Sequence, residues 1–185
     1  MNLYIRLLIT LIKSLLAKPI DYRNPKIIQQ RIVLLNDLDL NKHMNNGRYL
    51  TILDLASIEL FVRLGFIPVM SRLHAHVVSG GSLITYRKQL KFLEKYYVEL
   101  SYIGSTEAWH VMEFAFKNTK GVVCAKGLLK GAFVSKKEGL IKTKKILKIF
   151  EDIHNKEIIV RDLPEHAKKW LESEEAQPLN ELTLY

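Results

Sequence analysis

The chain has 185 residues, of which 48% are hydrophobic and 25% are charged, and this composition indicates a folded protein with one main domain. Its single cysteine, Cys124, excludes an internal disulfide and a zinc site of the Cys-x-x-Cys type. The net charge of +9 favours a polyanionic partner such as an anionic lipid, an acidic carrier protein or a phosphorylated cofactor. Nucleic acid is not expected, because the basic residues are scattered and form no RNA-recognition or helix-turn-helix pattern.

Residues 1–18 are the most apolar part of the sequence and are predicted to form an amphipathic helix that Pro19 ends. Charged residues interrupt the segment, so it lacks the run of roughly 20 apolar residues that spans a bilayer. This helix suits a membrane interface, packing on its own domain or on a subunit, or a membrane anchor, and a cleaved signal peptide is not expected. Its polar residues recur at helical spacing and form one stripe, comprising Asn2, Arg6, Thr10, Lys13, Ser14 and Lys18.

The central part of the chain predicts an α+β architecture in which an antiparallel sheet wraps round one long helix. Residues 27–35 read as a strand, and apolar spacing predicts a helix over residues 46–64 that Gly65 and Pro68 end. Four strand-like segments follow, at residues 74–92, 96–106, 108–117 and 121–135.

Several residues in these segments carry expectations of their own. Gly80 and Gly81 predict a bulge or bend inside a long strand, and residues 118–121 predict a hairpin turn. His110 is expected on the sheet surface, whereas Cys124 reads as a small buried apolar residue.

The loop before the long helix is rich in side chains that can carry out chemistry. Residues 37–49 hold two carboxylates, an imidazole and three amides. A helix N-terminus presents unpaired backbone N–H groups and the positive end of the helix dipole, which together can stabilise an oxyanion. The arrangement suits acyl transfer or hydrolysis, although Asp and Asn are also common as plain helix caps.

The sequence DLDLNKHMNNGRYL at residues 37–50 resembles the signature of hotdog-fold thioesterases, including plant acyl-carrier-protein thioesterases and the 4-hydroxybenzoyl-CoA thioesterase group. ITYRKQLKFLEKYYVELSYIG from Ile84, Trp109 and KGVVCAKGLLKG from Lys120 are similar, more narrowly, to the thioesterase superfamily member six-like subgroup. The resemblance covers about residues 25–135. It implies a hotdog fold and hydrolysis of an acyl thioester, carried on coenzyme A or acyl carrier protein, to a free acid and a thiol. It implies no metal and no cofactor beyond the carrier.

The resemblance also assigns four catalytic residues. Asp39 matches the acidic residue that acts as nucleophile or general base. Asn41 and His43 match the polar pair that positions or activates the attacking water. Asn46 matches the helix-start position whose backbone N–H polarises the thioester carbonyl. Asp37, by contrast, is expected to be an exposed turn residue whose replacement changes almost nothing.

Four further residues are expected to bind substrate. Tyr49 matches the helix tyrosine of the family, and Asp54 matches an acidic residue further along the helix. Arg87 and Lys88 belong to a basic run that can meet the phosphates of coenzyme A, although such runs are usually a solvated face.

The predicted organisation is an N-terminal helix (1–20), a hotdog thioesterase-like domain (21–138) and a helical extension (139–185). In the extension, Pro164 is expected in the first turn of the second helix. The last residues are expected to form a loose tail. The resemblance implies a homodimer, or a dimer of such dimers, with sites at the interface and the acyl chain in a tunnel beside the central helix. The expected location is cytoplasmic, with residues 1–18 as a peripheral contact to an anionic membrane. The alternative is a non-catalytic acyl-thioester or lipid-binding hotdog protein at a membrane surface.

Overall fold

A computed structural model describes residues 3–156 and 161–176 of the chain. The helices are α1 (Leu3–Leu16), α2 (Asn46–Leu64), α3 (Phe66–Leu73), α4 (Thr143–His154) and α5 (Glu165–Glu175), with a 3₁₀ turn at Leu35–Asp37. The strands are β1 (Lys26–Ile32), β2 (Ala75–Tyr86), β3 (Lys95–Ser105), β4 (His110–Asn118), β5 (Val123–Ser135) and the short β6 (Gly139–Leu140).

The strands form one antiparallel sheet in the order β1-β3-β4-β5-β2, with β6 paired to β5. The sheet curls round α2, so the predicted α+β hotdog architecture is confirmed. The strand pairing of β2 with β5 shifts register between Ser79 and Gly81, which confirms the predicted bulge. The predicted hairpin turn is also present, and the Asn118 side chain accepts hydrogen bonds from two backbone N–H groups within it.

Helix α2 forms the centre of the fold and has the bounds that its sequence predicts. Asn45 caps its N-terminus by accepting a hydrogen bond from the Gly47 N–H at 2.9 Å, and Gly65 ends it in the left-handed conformation at φ 84°. Pro68 does not end the helical region, because it lies in the first turn of α3, where its missing N–H is not needed. The buried face of α2 packs against the sheet in the main core and comprises Tyr49, Ile52, Leu53, Ala56 and Leu60.

Helix α1 packs on the domain, but with the opposite face to the one expected of an amphipathic helix. Its buried residues are the polar Arg6, Thr10 and Ser14, whereas its apolar side chains point outward. The helix lies beside α2, with Arg6 at the loop that precedes α2. Beyond its last turn, the Arg63 Nε donates to the Lys18 carbonyl at 3.1 Å. No helix within the described ranges is long and apolar enough to cross a membrane.

The two C-terminal helices pack on different parts of the fold. Helix α4 packs with α3 through Ile146 and Phe150, and α5 covers the outer face of the sheet through Trp170 and Leu171. Pro164 is the N-cap of α5 and not part of its first turn. The predicted tail falls outside the described residues, and the three predicted segment boundaries stay predictions.

His110 lies inside the molecule, so its predicted place on the sheet surface is wrong. Its ring packs edge-on against Phe133 at 5.3 Å between centroids, on the face of β4 that turns toward the helices. Burial lowers the pKa of His110 to about 4, so this imidazole is neutral at physiological pH. Cys124 is buried, as predicted.

Candidate active site

A buried carboxylate, that of Asp37, holds the loop between β1 and α2 in place. Asp37 is fully buried (0% exposed) and its Oδ2 accepts from the Arg6 guanidinium at 2.7 Å and from the Leu34 N–H at 3.0 Å. Its carbonyl accepts from the Asn45 N–H at 2.8 Å, directly at the α2 cap. The expectation that Asp37 is an exposed turn residue is therefore wrong. The reason is α1, which brings a cation to a site that local sequence assigns to solvent.

Asp39 lies on the outer side of the same loop, next to His43. The His43 Nδ1 is 3.3 Å from the Asp39 Oδ2, and both side chains are partly buried. The other carboxylate oxygen of Asp39 accepts from the Asn41 N–H at 2.8 Å and from the His43 N–H at 3.5 Å. The carboxylate is thus fixed by the turn that it closes, and it presents one oxygen to the imidazole.

Asn41 lies between Asp39 and His43 in the chain, and Asn46 follows the pair. The Asn41 side chain is exposed. Asn46 is the first residue of α2, so its backbone N–H precedes the helical hydrogen-bond ladder, and no hydrogen bond among the described residues takes it. Its carbonyl accepts from the Tyr86 hydroxyl at 3.1 Å, which joins the end of β2 to the start of α2.

A second loop, residues 87–94, lies beside the first. The Met44 N–H donates to the Leu90 carbonyl at 2.8 Å, and His43 forms an isolated bridge with Lys91. Arg87 and Lys88 fold back onto β5, since both backbone N–H groups donate to the Cys124 carbonyl. Their side chains are exposed and face solvent near the mouth of the candidate site.

Tyr49 and Asp54 occupy different environments on α2. Tyr49 is in the core, between the rings of Tyr86 at 5.2 Å and Phe116 at 4.8 Å, and burial raises its pKa. The Asp54 side chain lines a cleft of about 230 Å³ between α2 and strands β2 and β5. Partial burial there raises the pKa of Asp54. The cleft also contains Ser57.

Comparison with known proteins shows to which family the chain belongs. A profile of the thioesterase-like superfamily matches residues 33–171, which include the whole loop and α2. The chain belongs to the thioesterase-like superfamily. Protein THEM6 of Xenopus laevis is 42% identical over 65 residues, which are 35% of this chain and 31% of that protein. The chain thus spans about a third of the length of this curated relative.

Two solved structures show the same fold. The hypothetical protein SAV2348 from Staphylococcus aureus, in complex with CoA, superposes with a TM-score of 0.60 at 12% identity, covering 78% of this chain and 92% of that one. The DHNA-CoA thioesterase from Staphylococcus aureus superposes with a TM-score of 0.60 at 17% identity, covering 82% of this chain and 95% of the other. At these identities the likeness establishes the hotdog fold.

In this member of the thioesterase-like superfamily, the fold brings some of the sequence-predicted site residues together and keeps others apart. Asp39, His43 and the Asn46 N–H share one end of α2, whereas Tyr49 is in the core and Asp54 lies two turns further along the helix. Within the described ranges, no group of three or more His, Cys, Asp and Glu side chains is arranged to hold a metal ion.

Sequence reasoning missed Arg6 and Tyr86. The signal for Arg6 is a guanidinium in the middle of an apolar helix, because a cation in such a place usually has a buried partner. Tyr86 gave no comparable signal, since its contact with Asn46 arises only when the end of β2 reaches α2.

Proposed function

We propose that this protein hydrolyses acyl thioesters to a free carboxylic acid and a thiol. The contact between Asp39 and His43 at the N-terminus of α2 carries the proposal, since it sets a carboxylate and an imidazole beside an unused helix amide. Membership of the thioesterase-like superfamily supports the same reaction class.

The proposed chemistry begins with the thioester carbonyl oxygen at the Asn46 N–H, which stabilises the negative charge that develops on that oxygen. The carbonyl carbon is then attacked in one of two ways. Asp39 attacks directly, giving an anhydride that water cleaves, or Asp39 and His43 together take a proton from an attacking water. Either way the C–S bond breaks and the thiolate leaves. Asn41 is proposed to position the water.

The proposed substrate is carried on coenzyme A or acyl carrier protein. Arg87 and Lys88 are exposed cations near the loop and suit phosphate groups of the carrier. The acyl chain is proposed to enter the cleft beside α2 that Asp54 lines. The CoA complex of SAV2348 supports a coenzyme A thioester for this fold.

The proposed assembly is a homodimer, itself able to form a dimer of dimers. Strand β2 is a 12-residue edge strand whose outer side has no neighbour among the described strands. Such an edge invites pairing, and a second copy of β2 would continue the sheet past the cleft at Asp54. Light scattering at micromolar concentration should give twice the chain mass of 21.4 kDa. A monomer mass would contradict the proposal.

A second candidate function is non-catalytic binding of acyl thioesters or lipids at a membrane surface. The outward apolar face of α1 favours membrane contact, and it does so for an enzyme as well as for a binding protein. A peripheral position on an anionic membrane is therefore proposed under both functions.

Coenzyme release from a panel of acyl-CoA thioesters separates the two candidates. The purified full chain should release free thiol from at least one acyl-CoA, whereas a binding protein would bind it without release.

Arg87→Ala with Lys88→Ala should raise KM several-fold with little change in kcat, since each lost exposed contact to a phosphate weakens binding only modestly. The matched control is Lys168→Ala with Lys169→Ala on α5, which should leave KM unchanged. Absence of thiol release across the panel would contradict the proposed hydrolysis.

A further inference from the structure

Helix α1 exposes an apolar surface that a folded domain normally covers. The α1 face comprises Leu3, Tyr4, Ile5, Leu8, Ile9, Ile12, Leu15 and Leu16, which are between 38% and 83% exposed. Contiguous exposed apolar surfaces of this kind mark a contact with another molecule or a membrane.

A second exposed apolar surface lies in the two loops of the candidate site. The loop patch comprises Leu35, Leu40, Phe92 and Leu93, with Leu35 at 75% and Leu40 fully exposed. Leu35, Phe92 and Leu93 line one open cleft together with Asn36.

The α1 face and the loop patch are neighbours. Arg6 donates to the Asn36 side chain at 3.4 Å and to Asp37 at 2.7 Å, and Leu35 directly precedes Asn36 in the chain. The inner side of α1 thus meets the loop that carries the loop patch, at the end of the molecule where α2 begins.

The shape and charge of this surface suit lipid better than a second copy of the chain. At 100° per residue, the exposed apolar side chains of α1 after Leu3 occupy about 140° of its circumference. A partner helix uses a narrower seam, whereas lipid chains surround a helix from all open sides. The exposed charges along the surface are basic: α1 contains no acidic residue, Asp39 and Glu94 in the loops are partly buried, and the exposed lysines lie in α1, just after it or in the two loops, namely Lys13, Lys18, Lys42, Lys88 and Lys91. Such a border is complementary to anionic headgroups.

We propose that the α1 face and the loop patch form one docking surface for the interface of an anionic phospholipid bilayer. Helix α1 lies in the plane of the membrane, because its 14 residues reach about 21 Å, less than the roughly 30 Å of a hydrocarbon core. Its polar stripe faces the protein and its apolar face enters the lipid. The loop that holds Asp39 and His43 then rests at the lipid surface. The substrate, on the basis of the function proposed above, is an acyl thioester whose chain is long enough to partition into the bilayer.

Co-sedimentation of the full chain with phosphatidylcholine vesicles, made with and without phosphatidylserine, tests the docking surface. The wild type should bind, and bind more strongly with phosphatidylserine. Phe92→Ser with Leu93→Ser should weaken partitioning about tenfold or more, given the apolar area withdrawn from lipid. Leu8→Asn with Ile12→Asn should weaken it at least as much. The matched control is Val122→Ser with Leu140→Ser, two exposed apolar side chains outside the surface, which should bind as the wild type does.

Three results would overturn the proposal. If the wild-type protein stays in solution with both vesicle types, the proposed docking surface does not bind lipid. If the Phe92 and Leu93 variant binds as the wild type does, the loop patch is not part of the docking surface. If the Leu8 and Ile12 variant binds vesicles as the wild type does but differs from it in mass by light scattering, the α1 face contacts a second copy of the chain and not lipid. Vesicle binding is measured without turnover, so a protein that docks but releases no thiol leaves the docking intact and contradicts only the hydrolysis.

Discussion

Replacing Asp39 by Asn is expected to lower kcat at least about 10²-fold, the lower end of what a positioned general base contributes. Asn keeps the side-chain shape and still accepts hydrogen bonds from the Asn41 and His43 backbone N–H groups, so the turn should persist. What disappears is the negative charge beside the His43 Nδ1. Steady-state turnover of a soluble acyl-CoA measures the effect, and neither KM nor the melting temperature should change much.

The companion variant His43→Ala distinguishes the two routes of attack. If Asp39 attacks the thioester directly, His43→Ala should cost less than Asp39→Asn; if the pair shares one water, the two losses should be similar. Asp152→Asn on α4 is the matched control, an exposed carboxylate far from the loop in sequence, and should keep full activity. Wild-type turnover in the Asp39→Asn protein would refute the proposed chemistry.

Breaking the ion pair between Arg6 and Asp37 is expected to destabilise the protein by about 3–5 kcal/mol, the usual cost of leaving one buried charge without its partner. Arg6 is 7% exposed and Asp37 is 0% exposed. Arg6→Met leaves the Asp37 carboxylate to the more distant guanidinium of Arg48, which is 3.9 Å away and 35% exposed, and Asp37→Asn leaves the Arg6 guanidinium without its carboxylate. Urea unfolding of each variant gives the change in the free energy of unfolding.

The double variant Arg6→Met with Asp37→Asn tests whether the pair acts as a unit. It should be more stable than the sum of the two single losses predicts, since no buried charge remains. The control is the exposed pair of Lys142 and Glu107, 73% and 71% exposed, whose disruption should leave the free energy of unfolding nearly unchanged because solvent screens it. Single losses at Arg6 and Asp37 as small as those at the control pair would show that the buried contact does not hold the loop.

Local signals were sufficient to predict the central helix and most of the sheet. The bounds of α2 follow from the Asn residues before it and from Gly65 after it, and both act within a few residues of the helix. The closeness of Asp39 and His43 also follows from a four-residue spacing inside one tight turn. These features need no knowledge of distant parts of the chain.

The environment of Asp37 and the orientation of α1 could not be predicted in this way. The partner of Asp37 is 31 residues earlier in the chain, and nothing in the loop itself indicates a buried cation. The stripe of polar residues in α1 shows that the helix has two faces, but the sequence does not say which face the domain covers. His110 was misassigned for a different reason: it shares its face of β4 with the apolar Met112, Phe114 and Phe116, so alternation places it inside, but a polar imidazole was expected at the surface.

The position of α1 also bears on how copies of the chain can associate. A curled sheet has two edges, here β1 and β2, and pairing β1 of one copy with β2 of the next would build an open fibre. Side chains from both faces of β1, Ile28 and Gln29 among them, line a groove of about 250 Å³ together with α1, so the helix stands in front of that edge. Of the two sheet edges among the described strands, β2 is then the open one, and two β2 edges that met across a twofold axis would cover each other. We therefore expect the helix to hinder pairing through β1, which favours the proposed closed pairing through β2 over an open fibre.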